Sequence, residues 1–144
     1  MTRYSRQISL PEIGEGGQEK LHKARVLIVG AGGLGSPAAL YLAGAGVGTI
    51  GLADDDTVGI SNLQRQILYT ENEVGQLKVH CAAQRLRALN GNIEVHAYPF
   101  RLNRENARRL IADYDIVVDG CDNFSTRYLI SDSCSALHLS LIHI

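Results

Sequence analysis

A Gly-x-Gly-x-x-Gly pattern is the first feature of this chain that could do chemistry. It comprises Gly30, Gly32 and Gly35, with Gly33 between them, and it separates a short apolar run from a segment rich in helix formers. Glycines in that context let a phosphate approach the backbone, and the N–H groups at the start of the following helix point at the phosphate. A tight strand-to-helix turn would need similar residues, but the context favours nucleotide binding by all four glycines.

A carboxylate follows at the position where a ribose is commonly bound. Asp54 ends the next apolar run, about 20 residues beyond the glycines, where an acidic side chain accepts hydrogen bonds from ribose hydroxyls. Asp55 and Asp56 come directly after it, so a solvated acidic turn would give the same pattern. Asp56 could also hold a metal or support the loop. We expect Asp54 to bind the ribose.

One amide and two cations further along the chain suit an anionic triphosphate. Arg65 offers a bidentate fork and Lys78 a point charge, and Asn62 lies in the same segment as Arg65. Lys78 is expected in the first turn of a helix, where the helix dipole disfavours a cation. Such a local conflict is typical of functional sites, although Lys78 could equally be one more surface lysine.

A second carboxylate follows another apolar run. Asp122 and Asn123 end the segment Asp-Gly-Cys-Asp-Asn at 119–123. A carboxylate near phosphates commonly coordinates Mg²⁺, which bridges phosphate oxygens. Asp122 and Asn123 could instead cap the helix that follows, and both roles would suit Asp122.

The elements that must position these residues alternate between strand and helix. Alternation of this kind predicts an α/β fold, with a Rossmann-like parallel sheet and helices on both faces. The carboxyl ends of parallel strands meet at one edge of the sheet, so the candidate residues should converge there. The predicted strands cover 25–30, 49–53, 93–97 and 115–120, and the predicted helices begin near 35 and cover about 75–89, 104–112 and 125–137.

The domain organisation follows from the same pattern. Residues 1–24 are interpreted as an N-terminal arm with a short helix near 18–23, and residues 25–137 as the nucleotide-binding domain. Residues 138–144 form an atypical tail that could add a fifth strand. Because a doubly wound sheet usually contains more strands, we expect a domain that is incomplete on its C-terminal side.

The composition of the chain limits the partners and the cellular location that can be expected. The 144 residues carry a formal net charge of −1, from 14 basic and 15 acidic side chains, which favours neither a nucleic-acid nor a membrane partner. The three cysteines are scattered without Cys-x-x-Cys spacing, as is usual for reduced thiols. The first residues lack the apolar core of a signal peptide, so a cytoplasmic location is expected.

Six stretches, in order along the chain, resemble the ThiF/MoeB/HesA group, the bacterial relatives of ubiquitin-activating enzymes. Within that group the chain looks most like the thiamine-pathway member, ThiF, with the molybdopterin-pathway member, MoeB, next. A relative that acts on modified tRNA has the same fold, but the Arg-Tyr-Ser-Arg-Gln arm favours a protein substrate. The stretches are residues 3–7, 29–35, 40–48, 56–66, 75–78 and 119–123.

The resemblance implies a nucleotidyltransferase that uses ATP and Mg²⁺. The C-terminal glycine carboxylate of a ubiquitin-like sulfur carrier of the ThiS or MoaD type, with its Gly-Gly tail, would become an acyl-adenylate with release of pyrophosphate. Homodimers are implied too, with Arg6 reaching the triphosphate of the neighbouring subunit. By position, Gly33 and its loop would contact ATP, Asp54 the ribose, Asn62, Arg65 and Lys78 the phosphates, Asn123 the nucleotide, and Asp122 the Mg²⁺; Arg6, Arg65, Lys78 and Asp122 would be catalytic.

The chain departs from the group in one respect. Full-length relatives continue with paired Cys-x-x-Cys motifs for structural zinc, whose ligands are absent from these 144 residues. One alternative is therefore a non-catalytic, truncated nucleotide-binding fragment. A less favoured alternative is an NAD-dependent oxidoreductase, which would explain the glycines and Asp54 but not Asn62, Arg65, Lys78 and Asp122 together.

Overall fold

Five parallel strands and six α-helices make up the protein over residues 2–144, which the computed structural model describes. The strands are β1 (Arg25–Val29), β2 (Thr49–Ala53), β3 (Glu94–Tyr98), β4 (Ile116–Asp119) and β5 (Ser140–His143). The helices are α1 (Ser5–Ile8), α2 (Gly14–Lys23), α3 (Gly35–Ala45), α4 (Lys78–Leu89), α5 (Ala107–Ile111) and α6 (Phe124–Leu137).

The sheet has the strand order β3-β2-β1-β4-β5, with β1 at its centre. Every pair of neighbours is parallel, and β5 pairs with β4 along its whole length. The order reverses between β1 and β4, and ligands of open α/β sheets bind at such a switch point, outside the carboxyl ends of the strands. The predicted α/β fold with its parallel sheet is confirmed, and residues 138–144 supply the fifth strand.

The two faces of the sheet bury separate apolar layers. Val26 and Ile28 of β1 point into a layer that contains α3 and α4. Leu27 and Val29 point to the opposite side, into a layer with α5 and α6. The alternation of side chains along a strand therefore gives β1 two buried faces, as its uninterrupted apolar sequence predicts.

Two helices begin later than the sequence pattern predicts, because the residues predicted to start them adopt a non-helical backbone or a side-chain-bonded turn. Gly75 has a φ of +88°, and Leu77 is extended and bridges Thr57, so α4 begins at Lys78 and not at about 75. The backbone N–H groups of Glu105 and Asn106 donate to the Asn103 side chain, and α5 begins only at Ala107. This local turn competes with the helix.

The N-terminal arm is bound to the rest of the protein. The side chain of Asn90, which is fully buried after α4, donates to the carbonyl of Ala43 and to the Tyr4 hydroxyl, both at 2.8 Å. Gln7 donates to Gln18 and to the carbonyl of Ala45. Helix α2 begins at Gly14, four residues before the predicted start. The arm is therefore anchored at the C-terminal end of α3.

No helix within residues 2–144 has both the length and the apolar character that a membrane span requires.

Asn90→Ala should lower the free energy of unfolding by about 2 kcal/mol, because it removes the two hydrogen bonds that the buried side chain donates, to the Ala43 carbonyl and to the Tyr4 hydroxyl. Denaturant titration followed by circular dichroism measures the change. Asn92→Ala, two residues away and exposed, is the matched control and should change stability by less than about 0.5 kcal/mol. Equal stabilities for the two variants would contradict this account of the arm.

Candidate functional site

A cleft of about 620 Å³ opens at the carboxyl ends of β1, β2 and β4, where the strand order reverses. The structure brings together in this cleft all but two of the residues that the sequence singled out. Gly35 lies just behind the lining, and Arg6 lies elsewhere. The predicted residues that line the cleft are Gly30, Gly32, Gly33, Asp54, Asn62, Arg65, Lys78, Asp122 and Asn123.

The glycines of the loop have two different roles. Gly30 has a φ of +88°, and a Cβ on it would lie 2.8 Å from the carbonyl oxygen of Gly120. A Cβ on Gly35 would overlap the carbonyl oxygen of Gly30. At Gly32 and Gly33 the nearest atoms to such a Cβ lie at 3.5 and 3.6 Å, on neighbouring side chains. Gly30 and Gly35 are therefore required by backbone packing, whereas Gly32 and Gly33 leave the cleft open.

The Asp54 carboxylate is oriented by two backbone N–H groups. Ala31 donates to its Oδ2 atom at 2.7 Å, and Asp56 donates to its Oδ1 atom at 2.8 Å. A carboxylate oxygen has two lone pairs, so each atom can accept one more hydrogen bond. The side chain is half-buried at the edge of the cleft. It can therefore accept hydroxyl groups of a ligand while it also fixes the start of the glycine loop.

Lys78 is a nearly buried cation with a single ionic partner. Its side chain is only 5% exposed, and Nζ lies 3.1 Å from Oδ2 of Asp56, whose side chain is mostly exposed. The Lys78 backbone N–H also donates to the Asp56 carbonyl. A charge buried this far needs a counter-charge. Asp56 supplies it, which gives Asp56 a supporting role in the site.

Asn62 and Arg65 lie on a short turn that faces the glycine loop. The Asn62 Oδ1 atom accepts the Gly59 N–H at 3.0 Å, which directs the amide group of the side chain. Arg65 is exposed, and its aliphatic part lies against Gly33. The guanidinium makes one long hydrogen bond of 3.3 Å, to the Ser61 carbonyl. Arg65 can therefore turn toward a ligand at little cost.

At the end of β4 the helix-capping role belongs to Asn123. Its Oδ1 atom accepts the Thr126 N–H at 2.9 Å, and Ser125 donates to the same oxygen at 3.0 Å. The Asp122 side chain is exposed in the cleft and makes no hydrogen bond within residues 2–144. Of the two roles open to Asp122, the geometry leaves it available as a ligand to a hard cation such as Mg²⁺.

A buried carboxylate below the cleft organises a cysteine and a histidine. Asp119 is fully buried, and its Oδ1 atom accepts from the Cys121 thiol at 2.7 Å and from the Cys121 N–H at 3.1 Å. His143 Nδ1 lies 3.0 Å from Asp119 Oδ2. Burial, and then the hydrogen bond to Asp119, raise the pKa of Cys121 to about 12. Cys121 therefore stays a thiol near neutral pH and packs against the buried carboxylate instead of acting as a nucleophile.

Arg6 is outside the cleft. It lies on α1, which is anchored at the C-terminal end of α3, while the glycine loop is at the N-terminal end. The 11 residues of α3 separate the two ends by about 16 Å at 1.5 Å per residue. Arg6 is exposed and does not line the cleft.

Sequence reasoning missed several residues that line the cleft. Arg127 donates through Nε and Nη2 to the Cys121 carbonyl, at 3.1 and 2.9 Å, and so holds the loop after β4. The rule that ligands lie beyond the carboxyl ends of strands could have found the residues that follow β3. The lining residues that the sequence analysis did not assign to the site include Gln66, Phe100, Arg101, Leu102, Thr126 and Arg127.

Comparison with curated proteins gives relatives of about 50% identity. A sulfur carrier protein adenylyltransferase of Thermus thermophilus is 50% identical over 142 residues, which are 99% of this chain and 52% of the relative. A probable molybdopterin-synthase adenylyltransferase of Porphyra purpurea is 51% identical over 143 residues, which are 99% of this chain and 37% of the relative. The adenylyltransferase and sulfurtransferase MOCS3 of Anopheles gambiae is 54% identical over 142 residues, which are 99% of this chain and 32% of the relative. The chain thus spans a third to a half of the length of these relatives.

Solved structures share the fold and the family model covers almost the whole chain. The E. coli tRNA N6-threonylcarbamoyladenosine dehydratase TcdA in complex with ATP has a TM-score of 0.92 and 29% identity, over 98% of this chain and 58% of that one. E. coli MccB with ATP has a TM-score of 0.85 and 29% identity, over 99% of this chain and 44% of the MccB chain. The model of the ThiF family matches residues 4–144. The chain therefore belongs to the ThiF family.

Proposed function

We propose that this chain is the ATP-binding, adenylating part of a sulfur carrier protein adenylyltransferase. The observation that carries the proposal is the convergence of Asn62, Arg65, Lys78 and Asp122 around one glycine-lined cleft in a ThiF-family chain. The names of relatives at 50–54% identity support the same reaction. The chain spans a third to a half of the length of those relatives, so the activity of the whole protein is proposed and not shown.

The nucleotide lies along the carboxyl ends of the strands. The glycine loop and the N-terminal end of α3 face its phosphates, because unpaired N–H groups at a helix start favour an anion. The Asp54 carboxylate, already oriented by the N–H groups of Ala31 and Asp56, accepts the ribose hydroxyls. Solved structures of TcdA and MccB in complex with ATP support an ATP site in this fold.

The reaction is an in-line displacement at the α-phosphorus. A carboxylate oxygen of the carrier's C-terminal glycine forms a bond to that phosphorus, and the bond to the bridging oxygen breaks as pyrophosphate leaves with the electron pair. The attacking group is already ionised near neutral pH, so no general base is needed. The chain must instead offset the charge of two anions and align them, which is the role of Asn62, Arg65 and Lys78.

Asp122 is the residue that would hold Mg²⁺. Its exposed carboxylate lines the cleft and has no protein partner within residues 2–144, and magnesium sites commonly combine one or two carboxylates with substrate phosphates. When bound, the ion would neutralise charge on the phosphates. Asn123 uses its side-chain oxygen to cap α6, so its amide nitrogen is the group that remains for the nucleotide.

The relatives favour a sulfur carrier of the molybdopterin pathway. The resemblance of the sequence motifs had instead ranked the thiamine-pathway member, ThiF, before MoeB. Molybdopterin-synthase adenylyltransferase and MOCS3 are named among them. An NAD-dependent oxidoreductase has no counterpart among those relatives. A non-catalytic nucleotide-binding fragment is the remaining alternative, and it would bind ATP without exchanging pyrophosphate into it.

An exposed apolar surface supports a homodimer. The outer face of α3 and the turn after Arg65 form a depression of about 550 Å³, and Tyr41 and Ile67 within it are 81% and 67% exposed. Exposed apolar surface of this kind commonly marks a protein interface. Gln7 of the arm also lines the depression, so a second copy seated there would lie beside Arg6. We propose that Arg6 acts on the neighbouring subunit's ATP, since it lies far from its own cleft.

Exchange of radioactive pyrophosphate into ATP tests the proposed function directly. We expect exchange that requires Mg²⁺ and a carrier protein, with a MoaD-type carrier supporting more exchange than a ThiS-type carrier. A carrier truncated by its last glycine is the control and should support none. Binding of ATP without exchange for either carrier would identify the chain as a nucleotide-binding fragment, and exchange with only the ThiS type would restore the thiamine assignment.

Arg65→Ala should reduce the exchange rate by about 100-fold while it weakens ATP binding less than about fivefold, because the exposed guanidinium engages charge that develops during the displacement. Exchange kinetics and calorimetric titration with ATP measure the two effects. Arg104→Ala, an arginine outside the cleft lining, is the control. Equal losses in rate and affinity would remove the role of Arg65 in the transition state.

Mixing two inactive variants tests whether Arg6 acts across a dimer. Arg6→Ala and Arg65→Ala should each lose most exchange. In a mixed dimer the Arg6→Ala subunit keeps Arg65 and receives Arg6 from its partner, so one of the two sites is intact. Random mixing makes about half the dimers mixed, and exchange should recover to about a quarter of the wild-type rate. No recovery after verified subunit exchange would mean that Arg6 does not act in the neighbouring site.

A further inference from the structure

Helices α5 and α6 form one wall beside the cleft. They pack against each other and cover the apolar layer that contains Leu27 and Val29, on the side of the sheet opposite to α3 and α4. The residues just before each helix reach the cleft, since Arg101 and Asn123 both line it. The outer surface of this wall therefore begins at the opening of the cleft and faces away from the depression on α3.

Positive charge is concentrated in the segment that leads into α5 and through it. Residues 101–112 contain four arginines and one glutamate, whereas the remainder of the chain contains ten basic and fourteen acidic side chains. Arg104 directly precedes the glutamate, Glu105, so their charges offset each other. The net positive charge of the segment therefore lies on the other three arginines, which are Arg101, Arg108 and Arg109.

These three arginines are free to meet a partner. Arg108 and Arg109 are exposed on the solvent side of α5, because the other three residues of that helix are buried. Arg101 is exposed where the segment lines the cleft. None of the three forms a salt bridge within residues 2–144. An acidic surface would be attracted here and repelled by the more acidic remainder of the chain.

Two aromatic side chains at the start of α6 extend the same wall. Phe124 and Tyr128 are 77% and 68% exposed, one helical turn apart and opposite the buried Thr126 and Ile130. Phe124 directly follows Asn123 of the cleft. Aromatic residues and arginine are the types enriched at protein interfaces and among the residues that dominate binding. Arginines and exposed aromatic rings side by side therefore indicate a surface that binds a protein.

We propose that this wall docks the folded body of the sulfur carrier, through an acidic patch on the carrier that lies next to apolar side chains. The docking surface is defined by Arg101, Arg108, Arg109, Phe124 and Tyr128. This inference rests on the proposed function and deepens it, since it says where the carrier lies while its C-terminal tail is in the cleft.

The position of the docking surface favours the carrier over a second copy of the chain. The carrier's terminal carboxylate must reach the α-phosphorus within the cleft, so its body has to lie at the opening, where Arg101 and Phe124 are found. The apolar depression proposed for the homodimer is on α3, on the other side of the sheet. A dimer and a docked carrier can therefore form together.

Charge reversal on α5 tests the electrostatic part of the proposal. For the double variant Arg108→Glu/Arg109→Glu, we expect the dissociation constant of a MoaD-type carrier for the ATP-bound chain to rise about tenfold or more in about 50 mM NaCl. The rise should shrink to less than about threefold in about 500 mM NaCl, because salt screens exposed charges. Calorimetric titration measures both values, and the affinity for ATP alone should not change.

The matched control changes the net charge equally on the other side of the sheet. Lys20→Glu/Lys23→Glu alters two exposed residues of α2, a helix whose Leu21 packs against the layer of α3 and α4. Its carrier affinity should stay within about twofold of the wild type in both salt concentrations, because the reversed charges lie far from the docking surface. Equal losses for the two double variants would make the effect one of net charge and overturn the proposal.

Phe124→Ala tests the apolar part separately. The dissociation constant of the carrier should rise about tenfold in low and in high salt alike, because an apolar contact is lost. The melting temperature of the chain without carrier should change by less than about 2 °C, since the ring is 77% exposed. A variant that folds and binds the carrier as the wild type does would remove Phe124 from the docking surface and overturn its part of the proposal.

The outcomes separate this inference from the proposed function. If the wild-type chain exchanges pyrophosphate and all variants bind the carrier equally, the inference is wrong and the proposed function stands. Variants that weaken self-association in sedimentation, or binding of tRNA, without weakening carrier binding would assign the surface to another partner and overturn the inference. A wild-type chain that neither binds a carrier nor exchanges pyrophosphate would overturn both.

Discussion

The close approach of three backbone segments at the centre of the sheet is the constraint on which the site depends. The turn after β1 and the turn after β4 touch through Gly30, Gly35 and Gly120, and any side chain at Gly30 or Gly35 would collide with a carbonyl group. This contact determines where α3 begins and which way the loop N–H groups point. It also brings the ends of β1 and β4 together at the switch point, so the cleft is a consequence of backbone packing before any polar side chain is considered.

The charges of the cleft are arranged locally, since the net charge of the chain is only −1. Lys78 can remain a buried cation because Asp56 lies 3.1 Å away, and Asp56 can turn toward it because its own backbone N–H is bonded to Asp54. Carboxylates thus position the cation that a polyanionic ligand needs. Arg65 is held less firmly, and it can move with the ligand. Under the proposed function, a fixed cation and a mobile one would suit a reaction in which charge shifts from the ground state to the transition state.

Strong local signals in the sequence were sufficient to predict the sheet and most of the residues that line the cleft. The β-branched run before Gly30, the start of α3 at Gly35 and the position of Asp54 after β2 were predicted because each depends on neighbouring residues. The start of α4 was misplaced since it is set by a bridge between Thr57 and Leu77, which are 20 positions apart. The buried Oε1 atom of Gln66, which makes no hydrogen bond within residues 2–144, likewise could not be predicted, because pairing depends on what surrounds the side chain in three dimensions.

The coupling of residues 138–144 to the site is the least predictable feature, and it follows from one buried charge. Asp119 is removed from water, and a carboxylate in that position is stable only if hydrogen-bond donors surround it. The thiol and N–H group of Cys121 supply two, on the side of the cleft, and His143 of β5 approaches from the other side. The fifth strand therefore does more than extend the sheet. Because the same carboxylate holds Cys121 and contacts His143, β5 is linked through Asp119 to the loop that carries Asp122.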